Sequence, residues 1–392
     1  MLGDYFQGTL PQTIERARIL KGKISRKLPR DYDALVRTSE TELDSIITRL
    51  RSLQKVSESV GTAVHRARLR QFKRAVGDLD HIETRAITVL DRAHKDDHRA
   101  NRLLYAICQE INYPALTPTV TTLSTAYFYI DTKLNLMFIP PAEGSFLLHL
   151  PDMYHELGHP LLTQKDHPLL DNLRKQYLTS ISRVHDYFAR QREVETARRG
   201  PRAFKDQIDL WELLWSKYWL EEFYCDLFAA STLGPAFAWS HLHLYLKMGG
   251  NAFATPDGIS YISHPADDAR MRAILETLGR SGFRKDTIEI TRRWREALAL
   301  TTDSPEPEYV HCYPEELLSA VVEDAVKGVT ETECRLARPE TSDPIHLMLN
   351  GAWRTFWSDP ASYQRWEAEA VRDLFSLCEG SPAGSTLRCL RR

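Results

Sequence analysis

Pro151-Asp152-Met153-Tyr154-His155-Glu156-Leu157-Gly158-His159-Pro160 decides how the rest of the chain is read. Inside it stands an H-E-x-x-H. Residues four apart share one face of a helix, so His155 and His159 can turn their imidazoles toward one metal ion. Glu156 is then left beside the metal's open side, where a carboxylate suits a general base acting on water. Pro151 fits the first turn of such a helix. Pro160 does not fit its interior, because it lacks the N–H that would bond back to Glu156 and disfavours helical backbone at His159. The helix is expected to kink or end there. Two imidazoles leave a zinc site short of a ligand, and the third must come from elsewhere in the chain.

The bulk properties set the frame for that search. The chain has 392 residues, 43% hydrophobic and 27% charged, with a formal net charge of −2. That is ordinary globular usage with room for about two or three domains, and the balanced charge offers no argument for nucleic acid as a partner. The opening Met1-Leu2-Gly3-Asp4-Tyr5-Phe6 leads into polar sequence without the apolar core of a secretory signal. No run of about 18 uninterrupted apolar residues occurs. A soluble, cytoplasmic protein with no membrane partner is expected. The six cysteines are scattered, without a C-x-x-C pair, and are expected to be reduced thiols. Any metal must therefore be held by histidine and carboxylate.

Before the motif, residues 1 to about 38 are basic and polar, and Pro11 and Pro29 interrupt any long helix. A solvated, loosely packed segment is expected there. From Ser39 to Arg92 apolar residues recur at helical spacing: Leu43, Ile46, Leu50, Leu53, Val60 and Val64, then, after a phase shift near residue 68, Leu69, Phe72, Val76, Leu79, Ala86 and Leu90. This predicts a helical hairpin packed on the main domain. The region 39–92 is also the candidate for self-association or partner binding. Tyr127-Phe128-Tyr129-Ile130 and Leu134 to Ile139, joined by Asp131-Thr132-Lys133, predict a β-hairpin whose edge suits an extended peptide.

Beyond the motif, a helix is expected from Leu169 to about Ala197, broken at Arg199-Gly200-Pro201-Arg202. Another runs from Phe204 to Leu233. On it Trp211, Trp215, Tyr218, Glu222, Asp226 and Ala229 fall within about a quarter turn of one another. Two carboxylates thus interrupt an aromatic stripe that should face the core, where a carboxylate is costly unless paired, hydrogen-bonded or bound to metal. His264-Pro265 opens a further helix to about Leu278, residues 301–309 read as a linker, and Pro314 to Cys378 is helical in pattern. The last dozen residues read as a tail.

Other candidates for the third ligand fit less well. A metzincin would need a third histidine six residues after His159, where Lys165 stands instead; His167 is too far along and is followed by Pro168. His149, six residues before His155, reads as a loop or core residue. Glu222-Phe223-Tyr224-Cys225-Asp226 is an E-x-x-x-D, and together with the H-E-x-x-H it resembles the gluzincin metallopeptidases over roughly residues 120–280. The resemblance implies His155, His159 and Glu222 as zinc ligands, one Zn2+ per chain, and Asp226 as hydrogen-bond acceptor for the far nitrogen of a ligand histidine. Glu221, pointing about 100° away, is passed over. By the same resemblance Glu156 takes a proton from the attacking water, and His264 is the leading donor to the oxyanion. Arg270, Arg272 and Tyr261 are candidate substrate or oxyanion contacts, with Tyr224 a weaker one.

The expectation is thus a mainly α (α+β) protein. It has a helical region at 1–110, a zincin-like core with a small β-sheet at 111–300, and a helical region at 301–392. The expected activity is zinc-dependent hydrolysis of a peptide or protein substrate. Its alternatives are a zinc-stabilised helical interaction protein without catalysis, or a zinc hydrolase of a non-peptide amide.

Overall fold

The computed structural model describes residues 2–24, 28–55, 62–92, 95–124, 127–140, 143–164, 167–199, 205–248, 250–256, 264–300 and 304–380. These residues are mainly helical, with one three-stranded sheet. The chain divides into two compact units. Met1–Tyr105, Thr117–Pro141 and Glu379–Arg392 make the first, and Ala106–Leu116 with Ala142–Cys378 make the second. The core expected at 111–300 thus draws on both units, and the expected C-terminal region belongs to the second as far as Cys378.

In the first unit α1 (Leu2–Ile24), α2 (Asp33–Gln54) and α3 (Thr62–Ile82) pack on one another. A π-helical turn, Glu83–Ile87, carries α3 into α4 (Thr88–Arg92), and α5 (Lys95–Glu110) follows. α1 corrects the expectation of a loose N-terminal segment. Phe6, Leu10, Ile14, Ala17, Leu20 and Ile24 recur every three or four residues and are buried in one cluster with Leu43, Leu50, Phe72 and Leu79. Pro11 sits inside α1 on its exposed side. Interior proline costs ~3 kcal/mol, whereas each large apolar side chain buried contributes about 1.5–3 kcal/mol. The apolar stripe wins.

The break in the 39–92 pattern also lies elsewhere. It falls between α2 and α3 rather than near residue 68, and Val64, read as part of the stripe, is 44% exposed. Arg68 takes a buried position instead, its guanidinium 4.4 Å from the centre of the Phe6 ring. Val60 and Gly61 lie outside the described residues.

The hairpin forms as β2 (Tyr129–Asp131) and β3 (Leu136–Phe138), antiparallel with Ile130 opposite Met137. A strand that the alternation did not reveal, β1 (Thr119–Thr121), runs parallel to β3 on its other side. Its three residues are too few to show a period. The sheet belongs to the first unit, while the helix that carries the H-E-x-x-H belongs to the second.

The second unit comprises α6 (Asp152–Thr163), α7 (Asp171–Arg199), α8 (Lys205–Leu214), α9 (Leu220–Leu233), α10 (Pro235–Met248) and α11 (Asp267–Arg280), followed by α12 (Arg284–Leu300), α13 (Tyr309–Cys312), α14 (Glu315–Thr330), α15 (Pro344–Ser358) and α16 (Tyr363–Gly380). α6 packs along α9, and α9 also meets α10, α11 and α14. Both α6 and α9 are buried on nearly every side, as a helix at the centre of a helical assembly must be. α6 does not end at Pro160 but runs on to Thr163. Pro160 and Leu161 are buried, and that packing holds the last turn in place despite the missing N–H.

Among the described residues no helix is long and apolar enough to cross a membrane. Cys108, Cys225, Cys312, Cys334 and Cys378 are buried and unbridged, and Cys389 lies outside the described residues.

Candidate metal centre

Close approach of α6 and α9 builds the site. A Cβ added to Gly158 would lie 2.7 Å from the Cα of Cys225 and 2.9 Å from its Sγ, closer than real Cβ contacts come. Only glycine lets the H-E-x-x-H helix sit directly on the E-x-x-x-D helix. The backbone atoms facing each other are thus those at the centre of the two motifs.

A π-helical turn, Trp215–Trp219, joins α8 to α9 and shifts the phase of the aromatic stripe. Trp211, Trp215 and Trp219 are buried, whereas Tyr218, read as part of the stripe, is 37% exposed. An extra residue in one turn has this effect, and such turns recur at functional sites. Just beyond it, Glu221 and Glu222 both reach the histidines.

The contacts form a consistent set. His155 Nδ1 lies 2.8 Å from Asp226 Oδ1, and His159 Nδ1 lies 2.9 Å from Glu221 Oε1. Each ring is held through Nδ1 by a carboxylate, which fixes the Nδ1–H tautomer and turns Nε2 outward. His155 Nε2 lies 3.3 Å from Glu222 Oε2. His155, Glu156 and His159 can each offer a ligand atom, all within 4.8 Å of one another. Glu221, set aside on helical phase, is therefore a site residue. It holds a ring rather than standing as a ligand, and its signal in the sequence was the second carboxylate beside Glu222.

Asp226 is wholly buried and bound on two sides. Arg270 donates from Nε to Oδ2 and from a terminal nitrogen to Oδ1, both at 2.7 Å. Arg270 is thus not placed to contact a substrate: its guanidinium is spent on Asp226. Arg272 turns elsewhere, donating to the Tyr313 carbonyl at 3.3 Å and pairing with Glu315. Tyr224 is in the core, 2.9 Å from Ser180 Oγ, away from an oxyanion role. Tyr261 lies outside the described residues. His264 is brought to the site: its Nε2 is 3.4 Å from Glu222 Oε2, and its side chain is 57% exposed. The loop that carries it is pinned by Ala266 N–H donating to the Tyr313 hydroxyl at 3.1 Å.

The electrostatics follow from four carboxylates around two imidazoles. Burial disfavours a charged His155, but the Asp226 and Glu222 carboxylates beside it outweigh that and lift its pKa to about 10. Burial would raise Glu222, yet His155, with His264 and His159, drives it down to about 2. Burial would likewise raise Asp226, and Arg270 with His155 instead hold it well below the ordinary carboxylate range.

His155, Glu156 and His159 are spaced as a group that could hold a metal ion, and Glu222 stands beside His155. Glu222 Oε2 is buried and accepts no hydrogen bond, although two imidazole nitrogens stand 3.3 and 3.4 Å away. A buried carboxylate oxygen without a hydrogen bond is costly. Its separation from His155 Nε2 equals the spacing of two ligands on one tetrahedral zinc, about 3.4 Å for bonds of ~2.0–2.2 Å. Comparison with protein-family models, curated proteins and solved structures gave no match.

Proposed function

We propose that this chain is a zinc-dependent peptidase, with His155, His159 and Glu222 as the residues that hold the metal. The observation that carries the reading is the buried Glu222 Oε2, which has no hydrogen bond and lies 3.3 Å from Nε2 of His155, whose Nδ1 is held by Asp226, while Nδ1 of His159 on the same helix is held by Glu221. Structural zinc sites favour closed, cysteine-rich sets, whereas three such ligands leave a coordination position open. Bound zinc supplies Lewis acidity, polarising a carbonyl and acidifying water.

The chain's own groups do the rest. Glu156, within 4.8 Å of the histidine ligand atoms, takes the proton of the attacking water and delivers it to the leaving amine. His264, half-exposed at the rim and close to Glu222, donates a hydrogen bond to the oxyanion as it forms. Asp226 and Glu221 keep both rings oriented, and Arg270 keeps Asp226 charged.

Glu156→Gln is the direct test. The variant is expected to retain zinc but to lose hydrolysis of a susceptible peptide by at least ~100-fold, the ordinary value of general-base catalysis. Undiminished turnover by this variant would remove the protein from this mechanism. His264→Ala is expected to lower turnover while leaving zinc affinity within a few-fold, which a role in holding metal would not do.

A further inference from the structure

A second pair of histidines in the same unit is arranged as ligands. His149, on the approach to α6, and His243, on α10, face each other with Nε2 atoms 3.1 Å apart. Their rings are 5.1 Å apart and inclined by 33°. Glu143 lies against Nδ1 of His149 and also accepts from Lys247 Nζ at 2.8 Å, so the Lys247 charge is countered beside the pair. Phe146 and Trp353 flank the two rings.

The tautomers matter here. In the tautomer with its proton on Nδ1, facing the Glu143 carboxylate, His149 turns its Nε2 lone pair toward His243. Two imidazole ligands on one tetrahedral metal stand about 3.3 Å apart for bonds of ~2.0–2.1 Å. The observed 3.1 Å meets that spacing. Burial, then Lys247 and His243, lower the His149 pKa to about 4, and burial and Lys247 also lower that of His243, so both rings are neutral at physiological pH and ready to ligate.

We propose that His149 and His243 form a second metal site, separate from the H-E-x-x-H centre, that takes an imidazole-preferring divalent cation of the zinc or copper type. Both Nε2 atoms bind the ion, Glu143 fixes His149, and water completes the coordination. Binding moves the His243 proton from Nε2 to Nδ1, so no proton is released from the pair. Imidazole ligands without a bound carboxylate select against magnesium and calcium.

Zinc titrated calorimetrically into the untagged, chelator-treated chain tests this. The wild type is expected to take up a second, weaker equivalent beyond the tight one, and His243→Ala and His149→Ala each to abolish it. Glu143→Gln is expected to weaken that second equivalent by about tenfold or more. Cu2+ bound there should show two nitrogen ligands by electron paramagnetic resonance, and only one in either single variant. His155→Ala must leave the second equivalent in place, so loss of the catalytic reading would not touch this one. A wild type that binds no second zinc, or one that both histidine substitutions leave unchanged, would reduce the pair to a neutral histidine–histidine hydrogen bond.

Discussion

Gly158 is the residue on which the geometry turns. A mid-helix glycine ordinarily costs about 0.5–1 kcal/mol against alanine. Gly77 in α3 obeys that rule, since nothing stands within 4 Å of an added Cβ, and Gly77→Ala should stabilise the protein by about that amount in urea unfolding. Gly158→Ala should do the reverse. Its Cβ would press on the Cys225 backbone, which cannot swing aside as a side chain would. A loss of about 1–3 kcal/mol is expected, the usual cost of overpacking, together with weaker zinc binding as α6 and α9 part. A stable Gly158→Ala with normal metal affinity would mean that close helix approach does not set the site. At this scale much was legible in the sequence. His155, Glu156 and His159 announce themselves through spacing, and Glu222 with Asp226 through their misfit on an aromatic face. The contacts of Glu221 with His159 and of Arg270 with Asp226 were not legible, because they depend on how α6, α9 and α11 pack together.

Among the elements, α11 matters less for reaching the substrate than for holding α9. Arg270 compensates Asp226, and Asp226 orients His155. Arg270→Met should destabilise by about 3–5 kcal/mol, since it strands a buried charge. The pH dependence follows from the sign of the shift. The folded pKa of Asp226 lies below its unfolded value of about 3.9, so its contribution is complete above that value and fades as the pH falls through the folded one. Without Arg270 the folded pKa rises, and acid unfolding followed by circular dichroism should begin at higher pH than in the wild type. An unchanged acid transition would contradict this. The π-turn at Trp215–Trp219 escaped the sequence reading because periodicity assumes a constant angle per residue, and one added residue passes the stripe from Tyr218 to Trp219. β1 escaped because three residues carry no period. α1 escaped because basic and proline content was weighed above its apolar spacing. Leu10→Ala, which empties a buried position of α1, is expected to cost about 2–5 kcal/mol in thermal or urea unfolding. A change under ~0.5 kcal/mol would restore the loose segment.

At the scale of the whole molecule the two compact units carry different burdens. Every proposed site residue, from His149 to His264, belongs to the second, while the cluster of α1, α2 and α3 belongs to the first. Metal removal should therefore be local in effect. Hydrogen exchange on chelator-treated protein is expected to accelerate in α6, α9 and α11 and to stay unchanged in α1–α3. Equal acceleration throughout would mean that the metal stabilises the whole fold, as in the interaction-protein alternative. The mainly helical character and the hairpin were legible from hydrophobic period. The division into units was not, because it depends on long-range packing that no local pattern records.

The zinc retained by purified protein against a competing chelator bears most directly on the proposed centre. About one equivalent is expected in the wild type and in Glu156→Gln, with a marked loss in His155→Ala, His159→Ala and Glu222→Ala. Full retention by Glu222→Ala, or no retained zinc in the wild type, would contradict the assignment of His155, His159 and Glu222 as one metal site.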